Sequence, residues 1–213
     1  MASCTATVPS LVASGDQLYG QRICNQPFVN WAWDVFDFDW GDWDHGFGAE
    51  DPCNINLPLA RTLNAIYCLT YSAEDYRNES YDADILHWGG RFARSHIDEL
   101  DARCGDGSKV AATAWGVWDN YTDLYLVYFY QRSVPERAGT LIHESRHADG
   151  KGHDKGNLDS SWEYNGAWRW QVCWLSWFAA TGVRTSAAMR TIARQRANTI
   201  LATWFVKPPG FTV

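Results

Sequence analysis

The chain contains no apolar run approaching the roughly 18 consecutive residues that a membrane-spanning helix requires, so no insertion into a bilayer is expected. It also lacks an excess of positive charge: 18 Lys and Arg stand against 25 Asp and Glu, a formal net charge of −7. Such a chain sets up no overall field that would gather a phosphate backbone, which argues against a nucleic-acid partner. There is no internal repeat and no Pro-rich or Ser-rich linker to divide the 213 residues. One domain over 1–213 is therefore expected, with 1–50 as an aromatic and acidic N-terminal segment packed on its core. No two cysteines are in C-x-x-C spacing. Cys4, Cys24, Cys53, Cys68, Cys104 and Cys173 are widely separated, which speaks against a cytosolic zinc or redox site and for an oxidising compartment with up to three disulfides. No signal peptide precedes the opening "MASCTATVPS", which reads as an initiator Met on a mature start, so a secreted or periplasmic location is expected.

Aromatic residues, by contrast, are abundant. In "WAWDVFDFDWGDWDHGFG", Trp31, Trp33, Trp40 and Trp43 stand beside Asp37, Asp39, Asp42 and Asp44. Such a mixture could stack sugars on an aromatic platform, or simply pack into an aromatic-rich core. Phe36 to Trp40 have the period-2 alternation of a half-buried strand. The aspartates do not fall in the register of a calcium-binding EF-hand loop, so Ca2+ is left without support. Asn78-Glu79-Ser80 and Asn120-Tyr121-Thr122 match the glycosylation sequon.

The remaining pattern is helix-rich α+β. Leu59, Leu63, Ile66 and Tyr67 recur at helical spacing behind Pro58. "DADILHWGGRFARSHIDELDARCG" reads as a second helical stretch, weakened at Gly89-Gly90 and stopped by Gly105. "KVAATAWGV" and "TDLYLVYFYQR" flank a turn and read as a strand pair. Three helices come next, near Val134–Ala148, Ser161–Ala180 and Ser186–Trp204. A small antiparallel sheet thus precedes the helix that carries the chemistry, and disulfides stabilise the whole.

That helix leads into "LIHESRHADGKGHD", which holds half of the chain's 6 histidines. Ser133 and Glu136 make an S-x-x-E capping box, Pro135 suits the first turn, and Gly150 can take the left-handed conformation just past the end. At 100° per residue, Val134, Ala138, Leu141 and Ile142 gather on one side while His143 and His147 fall opposite. Four residues apart on a helix, the two imidazoles can reach one ion, for which Zn2+ is the usual occupant. Glu144, beside the first, is placed to act as a general base. Three residues compete as third ligand: His153, Asp159 and Glu163. The last two also have capping roles open to them, because Ser160 and Glu163 would form another S-x-x-E box at the next helix.

With His153 the string reads H-E-x-x-H-x-x-G-x-x-H. It resembles the motif of the metzincin clan of zinc endopeptidases, in which the glycine turns the chain so that the third histidine returns to the metal. The resemblance covers about a dozen residues. It implies one catalytic Zn2+ held by His143, His147 and His153, activation of water by Glu144, and a protein or peptide substrate. The clan's methionine turn has no clear counterpart, because Met189 falls at core spacing within the last helix. Asp154 and Arg146 are candidates to brace the ligands from behind, and Tyr164 is a candidate oxyanion donor. The expected function is thus a secreted zinc-dependent endopeptidase. The alternative is a secreted carbohydrate-binding or surface protein with a structural metal site and a Trp-rich face.

Overall fold

A computed structural model describes residues 23–38, 47, 50–72, 85–105, 108–115 and 120–213. In chain order its elements are α1 (Gln26–Val35), α2 (Pro58–Tyr71), α3 (Ile85–His96), β1 (Glu99–Arg103), β2 (Ala111–Trp115), β3 (Asn120–Tyr125), α4 (Leu126–Gln131) and α5 (Val134–Ala148). They continue with β4 (Asp159–Ser161), a 3-10 turn (Trp162–Tyr164), α6 (Ala167–Thr181), α7 (Ala187–Thr203) and β5 (Phe205–Lys207). This is the helix-rich α+β class expected.

Helix α5 starts where its capping box places it. Ser133 Oγ accepts from the Glu136 N–H, and Glu136 Oε2 accepts from the Ser133 N–H at 3.0 Å. The two donors satisfied in this way would otherwise be orphans of the first turn. The helix then runs through the middle of the molecule, packed against α2, α3, α6, α7 and β2. Its Leu/Ile stripe enters the main apolar cluster, and the opposite face is covered as well: His143 and Glu144 are both buried.

Several boundaries differ from the sequence expectation, each for a local reason. α3 ends at His96, and the ELDAR segment beyond it forms β1, in which Leu100 and Ala102 are buried. β2 and β3 are the antiparallel pair expected, but β1 joins β3 in parallel, so the sheet is mixed, in the order β1-β3-β2. The run after Tyr125 turns helical as α4, all of Leu126–Tyr130 being buried. A continuous apolar run lacks the alternation that would distinguish strand from buried helix. Phe36 to Phe38 form a turn after α1, with Asp37 at φ 39° and both phenylalanines buried. Their period-2 look comes from that turn; Asp39 and Trp40 lie outside the described residues, as do Trp43, Asp42, Asp44 and Asn78. Trp31 and Trp33 belong to α1 and pack, partly buried, on the core.

The second capping box does not form. Asp159–Ser161 pair in parallel with β5, Trp162–Tyr164 make the 3-10 turn, and α6 begins only at Ala167, with Gly166 as its N-cap. Met189 sits buried in the first turn of α7, as its spacing suggests. Cys24 and Cys53 form a disulfide that ties the entry of α1 to the segment before α2, and Cys104 is also disulfide-bonded. Cys68 and Cys173 are in no disulfide, so the chain has at most two disulfides rather than three. Among the described residues no helix is long and apolar enough to cross a membrane.

The Gly89-Gly90 pair costs α3 helix propensity, but it lets the helix pack closely against α2 and α6. A Cβ on Gly90 would lie 2.9 Å from the Leu69 carbonyl oxygen of α2, and one on Gly89 would lie 2.7 Å from the buried Trp174 of α6. Alanine is the better helix former by about 1 kcal/mol, but a backbone oxygen cannot step aside. Gly90→Ala is therefore expected to destabilise the fold by about 1–3 kcal/mol, read as a lower denaturation midpoint; an unchanged or raised midpoint would show that the helices can separate freely.

Candidate metal centre

The last turn of α5 sets the path of the chain beyond it. The Gly150 N–H bonds to the His147 carbonyl and the Lys151 N–H to the Arg146 carbonyl, with Gly150 at φ 80°. This is a Schellman ending, and its left-handed residue is one that glycine adopts without strain. The turn reverses the chain, so that His153 comes back over the helix face carrying His143 and His147. One nitrogen from each of the three imidazoles can be chosen so that all lie within 4.8 Å of one another. Among the described residues this is the only such group of three or more potential ligands, and no fourth residue joins it.

Two of the rings are oriented by bonds on their far sides. His147 Nδ1 lies 2.9 Å from the Lys151 carbonyl, which the Schellman turn presents to it. His153 Nδ1 lies 2.7 Å from Asp159 Oδ1. If each Nδ1 carries the proton, Nε2 is left as a lone pair facing the centre. Asp159 is fully buried at the start of β4, and its own N–H donates to the Trp204 carbonyl. Gly166 makes room for it: a Cβ there would stand 2.4 Å from Asp159 Oδ2.

The third ring, His143, is buried, and its Nδ1 meets no hydrogen-bond partner among the described residues. Burial holds its proton affinity well below that of an ordinary imidazole; the neighbouring His147, His153 and Arg196 lower it further, while Gln171 pushes weakly the other way. His147 is lowered too, chiefly by burial. Neutral imidazoles are the ligating form. A set of three nitrogen donors, one of them buried and two held from behind, fits a borderline metal ion better than a hard oxygen-seeking one. The structure thus contains a three-histidine group that could hold a metal ion.

Glu144 sits beside this group. Its Oε2 accepts from both the Thr113 N–H and the Thr113 hydroxyl, each at 3.0 Å, across from the edge strand β2. Burial raises its pKa to about 7, and the Thr113 bonds only partly offset that. A cavity of about 450 Å3 opens onto the site, lined by Thr113, Glu144, the three histidines and Trp168 among others. The Trp168 ring centre lies 4.1 Å from that of His143 and 5.5 Å from that of His153. Its back is stacked on Trp204 at 4.4 Å, and its indole N–H donates to the Asn157 carbonyl.

Other candidates lie elsewhere. Asp159 braces a ligand from behind, in the position expected of Asp154. Asp154 is exposed and instead accepts from the Ser160 N–H at 2.7 Å. Glu163 is exposed in the 3-10 turn and interacts with Ser161. Arg146 pairs with Asp149, donates to the Asn165 carbonyl and lies 4.5 Å over the Trp170 ring, bolting the end of α5 to the entrance of α6. The Tyr164 hydroxyl donates to the Gly152 carbonyl at 2.6 Å, away from the cavity lining. Sequence reasoning misses Thr113, Trp168, Gln171 and Arg196. Trp168 and Gln171 share one face of α6 at i, i+3, a faint signal among so many tryptophans; nothing local marks Thr113 or Arg196.

If the Asp159 carboxylate orients His153, Asp159→Asn should weaken metal affinity about 10- to 100-fold in competition with a chromophoric chelator. Gly166→Ala should weaken it in the same direction, by displacing the carboxylate. Unchanged affinity in both variants would show that His153 does not ligate or needs no support. No protein-family model, no curated protein and no solved structure matches this chain, so the site itself is the guide to function.

Proposed function

We propose that the protein is a zinc-dependent hydrolase of peptide bonds, an endopeptidase of metzincin-like motif, with His143, His147 and His153 as ligands and Glu144 as general base. The observation that supports this most is the convergence of three imidazoles, two of them braced, and a buried carboxylate on one open cavity. A closed structural zinc site would take a fourth protein ligand, and none joins the three among the described residues. That favours the hydrolase over the glycan-binding alternative with a structural metal.

A zinc ion held there would supply Lewis acidity toward a substrate carbonyl and toward water. The chain's own groups do the rest. Glu144 is anchored through Oε2 on Thr113, which leaves Oε1 to take a proton from water and deliver it to the departing amine. A carboxylate whose proton affinity lies near neutrality suits both steps. Trp168, stacked between His153 and Trp204 and edge-on to His143, walls the site against bulk solvent and keeps those imidazoles in register. The edge of β2 beside Thr113 is placed to flank an extended substrate. The Cys24–Cys53 disulfide agrees with an extracellular or periplasmic working place.

Metal analysis and a general protein substrate test this together. The wild type should carry about one zinc per chain and cleave the substrate. Glu144→Gln should keep the metal but lose about 100-fold or more in kcat. His153→Ala should lose both metal and activity, and Glu163→Ala neither. A protein free of zinc after purification with intact disulfides, or a fully active Glu144→Gln variant, would sink the proposal.

A further inference from the structure

The cavity has a charged lining that the hydrolytic reading does not use. Arg196, on α7, lines it alongside Gln171, Thr140 and the metal-site residues. Its side chain is only 16% exposed, yet its single ionic neighbour among the described residues is Glu136, at 3.8 Å from Nε. At that distance Glu136 Oε1 makes no hydrogen bond with Arg196, and the other oxygen, Oε2, accepts from both the Ser133 N–H and hydroxyl. Among the described residues the Arg196 guanidinium donates no hydrogen bond, and its buried Nε has only the ionic contact with Glu136. A guanidinium carries five N–H donors in a planar fork, and a buried donor left without an acceptor is destabilising. Arg132 lies close enough to oppose its charge, so Glu136 does not neutralise the region. Lys109 adds a second cation on the exposed part of the lining, and among the described residues Glu144 is the only carboxylate there. An acidic chain of net charge −7 has thus kept a cationic cavity.

We infer that Arg196 recognises a carboxylate of the substrate, so that the site acts on peptides carrying an anionic group on the α7 side of the scissile bond. This rests on the peptidase reading above and names the substrate class for it. The planar fork of a guanidinium matches a carboxylate through two parallel hydrogen bonds. Such a contact fixes the orientation of the chain in the cavity as well as adding affinity. The carboxylate can come from a chain terminus or from an Asp or Glu side chain, two sources with the same chemistry.

Calorimetric titration of the zinc-loaded protein separates these points. Acetohydroxamate probes the metal alone. Monohydroxamates of malonate, succinate and glutarate add a carboxylate at three reaches, and each is compared with its uncharged primary amide. In the wild type at least one carboxylate should bind about tenfold or more tighter than its amide, the gain expected of a charge-assisted pair. Arg196→Gln should abolish that gain while leaving acetohydroxamate affinity unchanged, and Arg196→Lys should restore part of it. No preference for carboxylate at any reach in the wild type overturns the inference whether or not the variants fold. So does a preference that survives in Arg196→Gln. If acetohydroxamate itself fails to bind, the metal reading is what falls. Glutarate titrated into metal-free protein then decides for Arg196: binding lost in Arg196→Gln supports it, and no binding contradicts it. Competition by short peptides with free or amidated ends, with and without an internal Glu, assigns the carboxylate to chain end or side chain. An amidated peptide without Glu competing as well as the others would contradict both assignments.

Discussion

The contact between Asp159 and His153 is the constraint on which the rest of the centre depends. His153 stands in a loop with no regular structure, beyond the end of α5, and nothing in α5 itself can hold it over the helix. The buried Asp159 carboxylate does so, and Asp159 is in turn held by the pairing of β4 with β5 and by the carbonyl of Trp204 at the end of α7. One hydrogen bond therefore ties the motif to the last element of the chain. A buried carboxylate without its partner would cost several kcal/mol, so the loop, the two short strands and Gly166 stand or fall as a unit.

The second constraint is the burial of α5. A helix with polar residues on one face ordinarily turns that face to water, but here α6, α7 and β2 cover it. The desolvation this imposes acts on the titratable groups of the motif in two directions. It drives the proton off His143 and His147 and onto Glu144. Those are opposite charges suppressed by one cause, and both results suit the proposed metal centre, which needs imidazoles free to ligate and a carboxylate able to exchange a proton near neutral pH. The cover is not complete, because a cavity reaches the site past Trp168 and Arg196.

The parts of this arrangement that are legible in the sequence are those carried by local rules. The capping box at Ser133–Glu136 and the Gly150 terminator act within one turn, and α5 begins and ends where they say. The spacing of His143, His147 and His153 survives folding because helix phase and one left-handed glycine determine it. The departures share another cause. Ser160 and Glu163, with Asp159 beside them, match a capping pattern, but the pairing of Asp159–Ser161 with β5, far along the chain, overrides it. The Leu126–Tyr130 run is ambiguous because total burial erases periodicity. Thr113, Trp168 and Arg196 reach the cavity from three different elements, and no local pattern could bring them together. Proximity in sequence points to Asp154 as the brace on His153, whereas the fold supplies that brace from the first residue of the next strand.

In the proposed centre three imidazoles, and no fourth protein side chain, would hold the metal. X-ray absorption at the zinc edge of the loaded protein addresses it directly. The account predicts three imidazole scatterers at about 2.0 Å with no sulfur, and two in the His153→Ala variant. A shell containing sulfur or a fourth imidazole, or one unchanged by His153→Ala, would contradict it.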